Sequence, residues 1–206
     1  MPTASDRFAR SLEQQSPDFD IQLDPRTIER LGRYYELLTK WNPRLHLVAP
    51  CSAEEFAGRH VLESLFAIRH IKPGAKIIDV GSGGGLPIVP CLIARPDLQA
   101  TLVESSQKKA VFLREALRHL SLNAQVLPHR FEEITAPEAD YLTCRALERF
   151  SQKLPELIEW APRSSTLLLF AGDAIRAQIE THGLEVSAFR IPTSQQRFLL
   201  VFKQKD

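Results

Sequence analysis

Two carboxylates and a run of glycines are the residues here with most chemistry to offer. Asp79 lies in a short apolar run, Lys76-Ile77-Ile78-Asp79-Val80, that passes straight into Gly81-Ser82-Gly83-Gly84-Gly85-Leu86. Glu104 closes a second run, Gln99-Ala100-Thr101-Leu102-Val103, about twenty residues further on. Glycines in such a loop let backbone N–H groups approach a ligand that a Cβ would exclude. A carboxylate ending the next strand is placed to accept hydrogen bonds from both hydroxyls of a ribose. Taken singly, the loop also reads as a tight turn and Glu104 as a solvated strand-end acid. Together, Asp79, the loop and Glu104 point to a site for a nucleoside-bearing cofactor.

The spacing narrows which cofactor. A dinucleotide fingerprint needs Gly-x-Gly-x-x-Gly. Counting from Gly81, the sixth position is Leu86, and counting from Gly83 it is Ile88, so the third glycine is missing either way. Asp79 would also repel a passing pyrophosphate, since like charges at close range disfavour one another. An acid ahead of Gly-x-Gly-x-Gly suits a ligand that carries an ammonium, as the methionine end of S-adenosylmethionine does. The cofactor residues expected on this reading are Asp79, Gly81, Ser82, Gly83, Gly85, Leu86 and Glu104.

The elements that must hold these residues follow from periodicity. β-Branched Ile77, Ile78 and Val80 argue a buried parallel strand. Leu86–Ala94 reads as the helix after it. Strands are then expected at Gln99–Glu104, Asn123–Leu127, Asp140–Cys144 and Ser165–Phe170. Helices are expected at Gln107–Leu120, Leu147–Trp160 and Asp173–His182, with Val111, Phe112, Leu113, Ala116, Leu117 and Leu120 on the buried side of the first. Leu184–Ile191 and Arg197–Lys203 are joined by about five residues, too few for a parallel crossover, so they form an antiparallel hairpin. Repeated β-α units ending in that hairpin predict an α/β fold: a doubly wound, mostly parallel seven-stranded sheet of the class I methyltransferase type. It is not the NAD-type arrangement.

Ahead of the sheet the pattern is helical. Met1–Leu23 reads as a frayed helix and a loop, with Phe8 and Leu12 at helical spacing. Asp24-Pro25 is an N-cap followed by proline at the first helical position. Ile28, Leu31, Tyr35, Leu38 and Trp41 then form one apolar stripe, expected to pack on the sheet and to end at Asn42-Pro43. Ser52-Ala53-Glu54-Glu55 is a capping box opening a helix through Phe56, His60, Leu62, Leu65 and Ile68. The expected organisation is a helical extension over 1–72 and a cofactor-binding domain over 73–206.

With 206 residues, 44% hydrophobic and 25% charged, the chain has the makings of one globular α/β core. The apolar runs are too short to span a bilayer and the polar N-terminus has no signal-peptide core. The three cysteines, Cys51, Cys91 and Cys144, lack metal-ligand spacing, which predicts a reduced, cytoplasmic protein without a metal. A formal net charge of +1 means that any nucleic acid must be held by a local patch. Candidate patches are Arg59-His60, the group Arg69, His70, Lys72 and Lys76, and Lys108, Lys109, Arg114 and Arg118. Each also reads as a solvated face.

Several phrases resemble the ribosomal RNA small subunit methyltransferase G family, also called glucose-inhibited division protein B. They are Tyr34–Asn42, Arg59–Leu65, Asp79–Pro87, Leu102–Ser105 with Lys108-Lys109 and Phe112-Leu113, Arg130–Glu133, and Arg145-Ala146. The order is collinear from Tyr34 to Ala146. The resemblance implies transfer of a methyl group from S-adenosylmethionine to N7 of a guanosine in small-subunit (16S) rRNA, within a ribosomal particle, by a monomeric cytoplasmic enzyme. It places cofactor residues on Gly81, Leu86, Phe131, Glu132 and Arg145, with Phe131 and Glu132 about the adenine and Arg145 catalytic. Arg59, His60 and Arg197 are the expected RNA contacts. The chain departs from the family pattern at His46, Ile88, Cys144 and Ala171-Gly172, the last where a lysine is usual. The cofactor site is therefore expected to match better than the acceptor side.

Guanine N7 has a lone pair and no proton to lose, so alignment should matter more than a general base. An arginine fork on O6 and N7 would block the reacting atom, so Arg145 is expected on O6, a phosphate or the cofactor. A plain strand-end salt bridge is the other reading of Arg145. Cys144 stands where cytosine-C5 methyltransferases carry a nucleophile, but it follows threonine and reads better as a buried strand cysteine. Other readings of the chain are a methyltransferase acting on another RNA, a protein or a small molecule, a non-catalytic cofactor- or RNA-binding module, and an NAD oxidoreductase.

Overall fold

The computed structural model describes residues 1–204, so residues 205 and 206 of the expected second domain lie outside the description. Five parallel strands come first: β1 (Lys76–Val80), β2 (Gln99–Val103), β3 (Ala124–Leu127), β4 (Tyr141–Arg145) and β5 (Thr166–Ala171). Two further strands, β6 (Ser187–Arg190) and β7 (Phe198–Lys203), pair antiparallel, and β7 also runs antiparallel to β5. The sheet order is β3-β2-β1-β4-β5-β7-β6. The expected seven-stranded sheet and its terminal hairpin are both present.

Successive residues of a strand face opposite sides of the sheet. Ile77 therefore joins one apolar layer, with Ala100, Leu102, Tyr141 and Leu168, while Ile78 and Val80 join the other, with Leu142, Cys144, Leu167 and Leu169. The first layer is covered by helices Ile88–Ala94 and Gln107–His119 and by all of the N-terminal helices. Helices Phe150–Trp160 and Asp173–Thr181 cover the second, through Leu154, Leu157, Ile175 and Ile179.

The N-terminal region differs from expectation in three places. Ala4–Gln15 is a full helix, closed by a Thr3/Asp6 capping box and anchored by the buried Phe8 and Leu12, with Phe8 stacked 4.6 Å from Tyr35. The apolar stripe of Pro25–Leu45 includes Tyr34, and this helix packs on helices Ile88–Ala94 and Gln107–His119, not on the sheet itself. It also runs through Pro43 and ends at His46, whose φ of 49° is the left-handed cap. Pro43 is close enough to the end that few intrahelical bonds are lost.

Residues 53–70 form one helical segment behind the expected Ser52/Glu55 capping box, but its middle, Phe56–Leu62, is wound as a π-helix. Glu63 N–H donates to the carbonyl of Gly58, five residues back. In the sheet domain Val111 is 51% exposed, because the seam of its helix runs through Ala110, Phe112, Leu113, Ala116 and Leu117. Leu86 belongs to the loop, and Phe150–Trp160 starts later than expected because Ala146 and Arg149 both take φ of 54°. Pro87 and residues 184–186 likewise lie outside the regular elements expected of them.

Candidate cofactor and acceptor cleft

In an open parallel sheet, ligands sit beyond the carboxyl ends of the strands, where the strand order reverses. Here that point lies between β1, followed by the glycine loop, and β4, followed by Arg145 and Ala146. A cleft of about 440 Å³ opens there. It is walled by Gly81–Gly84 and Leu86, by Glu104, Ser106 and Lys109, and by His60, Arg145, Ala146 and Leu147, with Leu47–Ala49 closing it from the N-terminal region. A larger hollow, about 780 Å³, lies at the amino ends of the strands beside Arg26, Arg30 and Arg33. It lacks the glycine loop and Glu104. Arg30 there donates to the helix-end carbonyls of Ile93 and Leu120, at 3.3 and 2.8 Å, which is a structural task.

The loop is shaped by its glycines. Gly81 and Gly85 have φ of 72° and 87°, and a Cβ on Gly85 would meet Val89 Cγ2 at 2.5 Å. Glu104, although only 6% exposed, holds the loop to β2. Its Oε2 accepts the Gly83 N–H at 2.8 Å and its Oε1 accepts the Ser106 N–H at 2.7 Å. Gly81 N–H and Ser82 N–H donate to the Val103 carbonyl at 2.9 and 3.3 Å. From the far side the buried Tyr34 hydroxyl donates to the Gly84 carbonyl at 2.5 Å. Burial pushes the Tyr34 hydroxyl further up, so it stays a donor.

Asp79 lies beneath the loop and is wholly buried, not on the cleft wall. Thr143, its registered partner on β4, donates to Oδ1 at 2.7 Å, while Oδ2 has no partner among the described residues. Burial, opposed by hydrogen bonding from Ser82 and Thr143, pushes its carboxyl up to about 7.

The opposite wall is cationic. Arg145 donates to the Arg59 carbonyl at 2.8 Å and to Glu63 Oε2 at 3.2 Å. Arg197 Nη2 lies 2.7 Å from Glu63 Oε1, and its Nη1 donates to Oε2 at 3.1 Å. His60 faces the cleft with its ring 5.1 Å from Phe56. Burial, reinforced by Arg145, Arg59 and Arg197, lowers its pKa to about 3, so the imidazole is neutral at pH 7.

The structure therefore brings Gly81, Ser82, Gly83, Leu86, Glu104, Arg145 and His60 onto one cleft. Gly85 supports the loop from behind. Phe131 and Glu132 stand past the carboxyl end of β3, outside these walls. Phe131 is buried, edge-on to Trp160 at 5.5 Å, and Glu132 pairs with Lys153. Arg59 and Arg197 join the network behind Arg145. Of the basic patches, Lys109 reaches the cleft, whereas Arg69, His70, Lys72 and Lys76 lie toward the amino end of β1. Cys144 is fully buried and burial raises its thiol pKa, which suits packing and not nucleophilic attack.

Tyr34, Thr143, Glu63 and Asn42 carry site geometry without having been singled out from the sequence. Asn42 exchanges two hydrogen bonds with the Val48 backbone, at 3.0 and 3.1 Å, and so presses Leu47–Ala49 against the cleft. Thr143 had a signal, being a polar residue in the buried middle of its strand. Among the described residues no helix is long and apolar enough to cross a membrane, and no cluster of acidic, His or Cys side chains is placed to hold a metal.

A sheet of this order, with a glycine loop after β1 and a carboxylate after β2, is a class I methyltransferase fold. Magnesium protoporphyrin IX methyltransferase from Synechocystis PCC 6803, solved with bound SAM, superposes with a TM-score of 0.62 at 15% identity, covering 89% of this chain and 99% of that one. That likeness concerns the fold alone. The sequence pattern of the rRNA small subunit methyltransferase G family matches residues 27–200. Ribosomal RNA small subunit methyltransferase G of Xanthomonas axonopodis pv. citri is 46% identical over 149 residues, 71% of this chain and 67% of the relative. The protein of that name from Paracoccus denitrificans is 39% identical over 160 residues, 75% and 81% respectively. The chain belongs to the rRNA small subunit methyltransferase G family.

Proposed function

We propose that this protein transfers a methyl group from S-adenosylmethionine to N7 of a guanosine in small-subunit (16S) rRNA. The observation that carries the reading is the cleft itself: a glycine loop tied to Glu104 on one wall and an arginine-rich wall facing it. Family membership supports rRNA as the acceptor.

Bound there, the sulfonium cofactor would supply an electrophilic methyl carbon, with its thioether as leaving group, to the guanine N7 lone pair. No proton has to leave, so the chain's task is orientation. Gly81, Ser82, Gly83, Gly85 and Leu86 shape the cradle over the buried Asp79. Each Glu104 oxygen, having accepted one backbone N–H, keeps a lone pair for a ribose hydroxyl. Phe131 and Glu132 flank the adenine. Arg145, on the wall between the two ligands, contacts O6, a phosphate or the cofactor and leaves N7 open. Arg59, His60 and Arg197 receive the RNA, within a ribosomal particle. The protein acts as a monomer in the cytoplasm.

Incubation with methyl-labelled S-adenosylmethionine and small subunits lacking their own methyl marks tests this. Label in the small-subunit rRNA is the expected result. Label in protein or in no macromolecule would sink the assignment.

A further inference from the structure

Glu63 is only 2% exposed, yet it is the anion on which two arginines converge from distant parts of the chain. Arg145 comes from the end of β4 and Arg197 from the residue just before β7. The two are unequally buried. The Arg145 side chain is 13% exposed, while that of Arg197 is 37% exposed. Arg197 is held at three nitrogens: its Nη1 donates to Glu63 Oε2 at 3.1 Å, its Nη2 lies 2.7 Å from Oε1, and its Nε donates to Ser194 Oγ at 3.1 Å. A guanidinium held this way keeps further N–H donors for an outside acceptor, in an orientation set in advance.

The backbone beneath Glu63 adapts to the same purpose. The π-helical winding of Phe56–Leu62 brings the Arg59 and His60 carbonyls to Arg145 Nη2 and Nη1, at 2.8 and 3.4 Å. Ser64 Oγ, 3.5 Å from the same Nη1, donates back to the His60 carbonyl at 2.5 Å. Arg59, Arg145 and Arg197 with one carboxylate and a neutral imidazole leave an excess of positive charge beside the cleft wall that Arg145 forms. Without the carboxylate the three guanidinium groups would repel one another.

We propose that Glu63 is a positioning residue for the acceptor: one buried carboxylate sets Arg145 at the cleft wall and holds Arg197 with its remaining N–H donors available to an RNA phosphate. Glu63 touches neither the RNA nor the cofactor. It acts on RNA affinity through Arg197 and on the cleft through Arg145. The inference rests on the proposed rRNA substrate, but it is read from a different observable.

The test is binding of labelled small-subunit rRNA by wild type, E63Q, R197Q and the double variant, as a function of salt, alongside S-adenosylmethionine titrations and melting curves. E63Q should weaken RNA binding by about tenfold or more. The slope of log affinity against log salt should become shallower by about one, the signature of a lost phosphate contact. R197Q should do the same, and the double variant should bind no worse than the weaker single one, since both remove one contact. E63D, one methylene shorter, keeps the charge but cannot span both pairs from the same backbone position. It should lose RNA affinity while melting close to wild type, and it stands in if E63Q does not fold. RNA affinity and salt slope unchanged in folded E63Q or E63D, or losses for E63Q and R197Q that add, would overturn the inference, as would a wild type that binds no RNA. Methyl transfer by wild type to another acceptor would instead overturn the rRNA assignment and leave these ratios to be read.

Discussion

On the glycine-loop wall, the bond that ties the loop down joins Gly83 to Glu104, 21 positions apart, just past the carboxyl ends of adjacent strands. On the facing wall, Arg145 reaches Glu63 across 82 positions and Arg197 reaches it across 134. The first wall is a continuous piece of β-loop-α and can be moved between folds as a unit. The second exists only after the N-terminal helices, β4 and β7 have all been assembled. Binding a cofactor shared by many enzymes can rest on the portable wall. Choosing the acceptor depends on the wall that only this arrangement of the chain produces.

The largest effect should come from breaking the portable wall. Gly85→Ala places a side chain at φ of 87° with its Cβ 2.5 Å from Val89 Cγ2. It should cost at least about 2 kcal/mol of stability and abolish measurable S-adenosylmethionine binding, checked by denaturant titration and calorimetry. Near-normal cofactor affinity would mean that the loop is only a turn. Next, Glu104→Ala frees the Gly83 and Ser106 N–H groups together. Cofactor affinity should fall by about tenfold or more, while affinity for RNA stays within about twofold. Equal losses on both ligands would erase the distinction between the walls.

Tyr34→Phe keeps the ring packed and removes only the hydrogen bond to Gly84. About 1 kcal/mol of stability and a few-fold in cofactor affinity should be lost. Loss of RNA affinity instead would place the N-terminal helix on the other side of the comparison.

The last predictions concern pH, and the two groups should respond with opposite sign. Asp79 has its carboxyl raised from 3.8 to about 7. Its contribution to stability is therefore full at low pH and is lost as pH rises from about 4 through 7. His60 has its pKa lowered from 6.5 to about 3, so its contribution is full above 6.5 and is lost as pH falls toward 3. Relative to wild type, D79N should gain stability as pH rises across that window, and H60N should gain as pH falls. Parallel slopes in the two variants' melting profiles would contradict these environments.

The same contrast explains what could be read in advance. Strands, loop and Glu104 were legible because short, continuous apolar runs and a glycine cluster are local signals. The terminal hairpin was legible from the shortness of one link. The helix Ala4–Gln15 was under-read because its stability comes from Phe8 stacking on Tyr35, a tertiary contact. The π-turn at Phe56–Leu62 has no local signature either. It accompanies the carbonyls that Arg145 takes. Asp79 was expected near a ligand ammonium and lies under the loop against Thr143, because its strand is buried on both faces. His46 stands as a left-handed helix cap outside the cleft walls, a conformation that asparagine and histidine tolerate better than most residues.

The most direct measurement is reduction and aniline scission of small-subunit rRNA after treatment with this protein and S-adenosylmethionine, since the chemistry cuts the chain at N7-methylguanosine. A single new scission, absent when the cofactor is withheld, is the predicted result. Methyl label retained in the rRNA with no scission would place the methyl on another atom and contradict the account.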